Sequence, residues 1–178
     1  MYIYCYGDSN TYGFDPRSYF GDRYSDKYRW TDVLAEKSGW QIDNGGINGE
    51  CIPKSIIKLP LNTDLLIVML GSNDLLQGCK LNEVKIRMEK FVCKLGKRKT
   101  LLIAPPPFQQ GGWVYQNELI DRSRALADIY REIAEKYEVL FADAAVWKVE
   151  LALDGVHFTE NGHISFANGL YDYLIGVV

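Results

Sequence analysis

Histidine and cysteine are scarce in this 178-residue chain: it has 2 and 4 of them, and no two cysteines stand as a C-x-x-C pair. Scattered thiols with so few imidazoles do not make a zinc site, so neither a metal nor another cofactor is expected. Cys5, Cys51, Cys79 and Cys93 read as reduced, structural thiols, which suits a cytosolic chain. A basic excess is also lacking, with 20 Lys and Arg against 23 Asp and Glu and a net charge of −3. That argues against nucleic acid or an anionic membrane as a partner, since both need a concentrated positive surface. One basic cluster, Lys94, Lys97, Arg98 and Lys99, falls where a helix should end. It reads as a solvated turn that complements the helix dipole. No apolar run is long enough to cross a bilayer. Met1 leads straight into a strand-like segment without a basic start or a long apolar stretch, so a cytoplasmic protein is expected. Repeats, low-complexity tracts and linkers are missing too, and the length fits one domain over residues 1–178.

What is present is a regular alternation of two patterns. Strand-like segments lie at 2–6, 40–44, 65–70, 100–104 and 139–141. Two of them, LLIVML at 65–70 and LLIA at 101–104, are continuous apolar runs, the pattern of strands buried on both faces of a parallel sheet. Between the segments, apolar residues recur at steps of three and four. Leu81, Val84, Met88, Phe91 and Leu95 form one stripe, and Leu119, Ser123, Leu126, Tyr130, Ile133 and Tyr137 form a second. Ile164, Ala167, Leu170 and Leu174 form a third. Strands alternating with amphipathic helices imply βαβ units with right-handed crossovers. The expected architecture is a three-layer α/β/α sandwich on a five-stranded parallel sheet. Ligands of such open sheets bind beyond the carboxyl ends of the strands.

The chemically suggestive residues fall at those ends. Gly7-Asp8-Ser9-Asn10-Thr11-Tyr12-Gly13 follows the first strand, placing a serine hydroxyl at the cleft, although a Gly-Asp-Ser tripeptide also makes an ordinary capped turn. Asn44-Gly45-Gly46-Ile47-Asn48-Gly49 follows the second strand, and it lacks the spacing of a dinucleotide fingerprint. Gly71-Ser72-Asn73-Asp74 follows the third, where the Asn73 amide is suited either to a developing oxyanion or to a helix cap. Asp154-Gly155-Val156-His157 precedes the last helix, and a carboxylate three residues before a histidine can orient the imidazole. The second histidine, His163, lies in the opening turn of that helix and reads as structural.

These blocks together resemble those of the SGNH/GDSL hydrolases, in the family's order and over nearly the whole chain. The resemblance implies a flavodoxin-like fold, a metal-free Ser-His-Asp mechanism and a small-molecule acyl ester as substrate. By position, Ser9 would be the nucleophile, His157 the general base and then acid, and Asp154 its orienting carboxylate. The Ser9 and Gly49 backbone N–H groups and the Asn73 side chain would form the oxyanion hole. Two positions depart from the usual pattern. Asn10 stands where leucine or a small residue is common, and Cys51 where a hydroxyl residue usually follows the glycine by two places. Ala104-Pro105-Pro106-Pro107 resembles the arylesterase-like members, which favours short acyl groups over long lipids.

Substrate shape is left to the loops. Asp8, Tyr12, Phe14 and Trp113 are the expected substrate contacts. The tyrosine-rich stretch at 14–28 and the segment at 108–115 fit two roles, stacking on a sugar or aryl alcohol and packing a homo-oligomer interface. The expected activity is hydrolysis of short-chain, acetyl-type esters. The alternatives are a carbohydrate O-deacetylase using the same residues and a flavodoxin-like binding module without catalysis.

Overall fold

The computed structural model describes residues 1–55 and 58–177. A strand covered on both faces has to bury every side chain, and Leu65–Met69 (β3) and Thr100–Ala104 (β4) do so. Their side chains alternate across the pleat. Leu65, Ile67, Met69, Leu101 and Ile103 enter one apolar core. Leu66, Val68, Leu70, Leu102 and Ala104 enter another on the opposite face. With Tyr2–Gly7 (β1), Gln41–Gly46 (β2) and Leu140–Asp143 (β5) they form a sheet in the order β2-β1-β3-β4-β5. Every neighbouring pair is parallel.

Helices close both faces. Trp30–Ser38 (α2) and Glu160–Leu174 (α7) supply Trp30, Leu34, Phe166, Leu170 and Leu174 to the first core. Leu81–Leu95 (α4), Asn117–Arg124 (α5) and Leu126–Tyr137 (α6) supply Val84, Met88, Phe91, Ile120, Tyr130 and Ile133 to the second. The expected sandwich is therefore the observed one. Among the described residues, no helix is long and apolar enough to cross a membrane.

The differences from the sequence reading have local causes. β2 runs on to Gly46 because Gly45 and Gly46 pair with Tyr6 and Gly7 of β1. β5 is shifted to 140–143 by its pairing with β4. The stripe at 119–137 is divided between α5 and α6, which meet at Ala125. Just before that junction the Ser123 hydroxyl donates to the Ile120 carbonyl at 2.6 Å, a local bond that competes with the helical ladder. Two short helices, Ser9–Tyr12 (α1) and Ser72–Leu76 (α3), carry too few residues to show a periodicity.

The strand order positions the site. The connection after β1 places α2 on one face, and the connection after β3 places α4 on the other. A crevice opens at the carboxyl ends of strands whose connections diverge in this way. Gly7 and Met69, the last residues of β1 and β3, are register partners there. α1 and α3 begin just beyond them.

Candidate active site

Asp8 ends the first strand turn by capping α1, its Oδ1 accepting the Asn10 N–H at 3.0 Å. Ser9 is therefore the first residue of that short helix, and it is only 4% exposed. The other half of the site comes from the loop before α7. Asp154 Oδ1 accepts the N–H groups of Val156 and His157 at 2.9 and 3.0 Å, which curls the backbone and turns the imidazole back toward the carboxylate. Asp154 Oδ2 then lies 2.6 Å from His157 Nδ1. On the far edge of the same ring, His157 Nε2 lies 3.1 Å from Ser9 Oγ. Residues 148 positions apart are thus joined in one hydrogen-bonded series, Ser9 to His157 to Asp154.

Burial of Asp154 pulls its carboxyl upward, but the His157 ring and the two backbone N–H groups outweigh it and hold the carboxyl below its ordinary value. The carboxylate accordingly stays charged, and it fixes the tautomer with Nε2 open to the serine. The other histidine is out of the series. His163 lies edge-on to Tyr24 and Phe158 and accepts the Trp30 N–H on Nδ1 at 3.4 Å. Burial, assisted by the charge of His157, pushes its pKa down to about 3, so it is a neutral core residue.

Asn73 is the second residue of α3, and its Nδ2 donates to the Glu50 carbonyl at 3.0 Å. A side-chain amide has two hydrogens, so this bond orients the second one. Glu50 closes the turn that contains Gly49. That turn is tied to β1 through Ile47 N–H donating to the Gly7 carbonyl at 3.0 Å. Gly49 itself has φ +80° and is exposed. Neighbouring Asp74 is fully buried, accepting from Ile52 N–H and Arg87, and serves to hold this loop against α3.

The aromatic loops flank the imidazole. Phe14 and Trp113 place their rings 4.7 and 4.9 Å from the His157 ring. Both line an open cleft of about 730 Å³ together with Asp154, Tyr24, Glu150 and Glu160. The other two expected contacts lie elsewhere. Asp8 is buried as the helix cap, and the Tyr12 ring lies under the Arg23 guanidinium, 4.6 Å from its centroid. Neither lines the cleft. Among the described residues, no group of three or more His, Cys, Asp or Glu is placed to hold a metal ion.

Two contributors have no role assigned to them from the sequence. Asn10 bonds to the backbone on both sides of His157. Gly155 has φ +83°, and a Cβ there would lie 2.1 Å from the Gln109 carbonyl oxygen. This close approach lets the 109–113 segment bond to the Asp154 loop: Gln109 N–H to Gly155, Gly112 N–H to Leu153 and Trp113 N–H to Asp154. The sequence carries no signal for it, because Gly155 lies far along the chain from Gly111 and Gly112.

A model of the GDSL-like lipase/acylhydrolase family matches residues 5–163. The chain belongs to this family. The matched span runs from β1 into α7, so every element bearing on the GDSL-family site is included. Carboxylic ester hydrolysis is the family's chemistry, and the chain is accordingly an ester hydrolase. Its fold is shared with a carbohydrate acetylesterase from Sinorhizobium meliloti, at 22% identity, 99% coverage of both chains and a TM-score of 0.83. It is shared with an aryl esterase from M. smegmatis, at 24% identity, 99% coverage of both chains and a TM-score of 0.84. It also matches a lipolytic G-D-S-L protein from Veillonella parvula DSM 2008, at 18% identity, 98% coverage of both chains and a TM-score of 0.77. No curated protein sequence matches the chain significantly.

Proposed function

We propose that this GDSL-family hydrolase is a serine esterase acting on small O-acyl esters of the acetyl type. The observation that carries the proposal is the series Ser9 Oγ, His157 Nε2, His157 Nδ1 and Asp154 Oδ2, at 3.1 and 2.6 Å. Ser9 Oγ attacks the ester carbonyl carbon while its proton moves to Nε2. The carbon–alcohol bond breaks as Nε2 returns that proton to the leaving oxygen. Water then attacks the acyl-Ser9, giving its proton to Nε2, and the carboxylic acid leaves as Ser9 Oγ is reprotonated. The transient oxyanion is met by the N–H groups of Ser9 and Gly49 and by the Asn73 amide.

Replacing Ser9 by alanine is expected to lower kcat by ~10⁴–10⁶-fold, since one missing member disables the series. A fluorophosphonate probe should label the wild-type protein at Ser9 and leave Ser9→Ala unlabelled. Full turnover in a folded Ser9→Ala protein would end the proposal.

A second reading, that the alcohol is a sugar, is favoured by the cleft beside His157. Half-exposed Trp113 and Phe14 offer ring faces, while Glu150, Glu160 and Asn161 offer hydrogen-bonding groups. On this reading Trp113→Ala raises KM for an acetylated sugar more than for p-nitrophenyl acetate. Equal effects on both would remove the sugar.

A further inference from the structure

Asn10 follows Ser9 directly and is 4% exposed. Its side chain faces the backbone of the loop that carries the imidazole. Nδ2 donates to the Val156 carbonyl at 3.1 Å, and Oδ1 accepts the Phe158 N–H at 2.9 Å. The amide therefore straddles His157, bonding to the residue before it and the residue after it, as a neighbouring strand would. The Asn10 backbone is held as well. Its N–H donates to Asp8 Oδ1 at 3.0 Å, and its carbonyl accepts from Trp30 Nε1 at 3.0 Å. The short helix bearing the nucleophile and the loop bearing the base are thus joined through one side chain, adjacent to the first and centred on the second.

We infer that Asn10 is a positioning residue: it sets the separation of Ser9 Oγ and His157 Nε2. The inference rests on the acyl-transfer reading of those two residues. An amide alone supplies both halves of this contact, a donor for a carbonyl and an acceptor for an N–H. Leucine has the same branched skeleton with bulkier ends and supplies neither, leaving a buried carbonyl and a buried N–H without partners. Aspartate keeps the acceptor for Phe158 and sets a carboxylate oxygen against the Val156 carbonyl.

The test compares wild-type protein, Asn10→Leu, Asn10→Asp and Ser9→Ala on a small acetyl ester. Displacing a reacting group by about 1 Å costs ~10²-fold, so kcat should fall ~10–100-fold in both Asn10 variants while KM changes little. The downfield proton of the His157–Asp154 hydrogen bond, followed by NMR, should shift or broaden in the same variants. Loss of general packing would move the melting temperature without this pairing of a kcat effect and a ring-proton effect. Wild-type kcat and an unmoved resonance in folded Asn10→Leu would overturn the inference. If neither variant folds, hydrogen exchange of the Asn10 side-chain amide in the wild-type protein decides. Protection supports the clamp, and exchange at the rate of an exposed amide overturns it. The two readings separate cleanly. An active Ser9→Ala protein removes the proposed reaction, and the resonance then still reports on positioning. An inactive Ser9→Ala protein beside a fully active Asn10→Leu removes the positioning role alone.

Discussion

At the residue scale the Asn73 amide and the Gly49 N–H make different demands on their surroundings. Asn73 offers a side-chain hydrogen aimed by the bond of its other hydrogen to Glu50. Asn73→Ala deletes that donor outright, and removing a donor from the proposed oxyanion hole is expected to lower kcat by ~10²–10³-fold with a smaller change in KM. Steady-state kinetics on a p-nitrophenyl ester check this, and an unchanged kcat would exclude Asn73 from the oxyanion hole. Gly49 offers a backbone N–H, which substitution cannot delete. Its φ is +80°, and nothing lies within 4 Å of where a Cβ would stand. Alanine there meets no clash, and the left-handed backbone alone costs about 1–2 kcal/mol. Gly49→Ala should therefore remain folded, melt a few degrees lower and lose less activity than Asn73→Ala.

At the scale of elements, legibility in the sequence followed the range of the interactions. β3 and β4 were readable because burial on both faces demands an apolar residue at nearly every position, and that demand is local. The glycine end of β2 was not, because Gly45 and Gly46 have no strand preference of their own and are extended only by pairing with β1. The candidate triad could be placed because Asp154 and His157 are three residues apart and Ser9 follows just after a strand. The Asn10 clamp could not, because its partners are backbone atoms 146 and 148 residues away and leave no side-chain signature. The same holds for the pairing of the 109–113 segment with the Asp154 loop. That pairing gives a test of its own. Gly155→Ala would put a methyl group 2.1 Å from the Gln109 carbonyl at a φ of +83°. The two segments must then separate, and with them Trp113 and the backbone holding Asp154. Activity should fall together with a loss of the Trp113 fluorescence signature, and retention of both would show that the segments are independent.

At the scale of the whole molecule, the sheet order brings four distant segments to one crevice, and the chain buries titratable groups of opposite response around it. Burial raises Asp8 from an ordinary 3.8 to about 6, against the opposing pull of the Asn10 N–H. Burial lowers His163 from 6.5 to about 3, helped by the charge of His157. The signs differ. Asp8 binds its proton more tightly when folded, so its burden on stability is absent below pH 3.8 and complete above about 6. At about 1.4 kcal/mol per pH unit, that burden is about 3 kcal/mol. His163 binds its proton more tightly when unfolded, so its contribution is complete above pH 6.5 and drains away as the pH falls toward 3. By the same conversion this is about 5 kcal/mol. Between pH 6 and 4 the two slopes nearly cancel, and the pair leaves wild-type stability flat until Asp8 is protonated in the unfolded state as well. Asp154, held below its ordinary value, adds to the loss at the acid end. Single substitutions should expose each slope. Asn caps a helix as well as Asp does, so Asp8→Asn should be more stable than wild type at pH 7.5 and lose stability steadily below pH 6.5. His163→Gln, which keeps an acceptor for Trp30, should instead gain stability as the pH falls from 6 to 4. Urea unfolding midpoints at pH 4, 5, 6 and 7.5 measure all three curves, and parallel curves would show that neither group is buried in the state described.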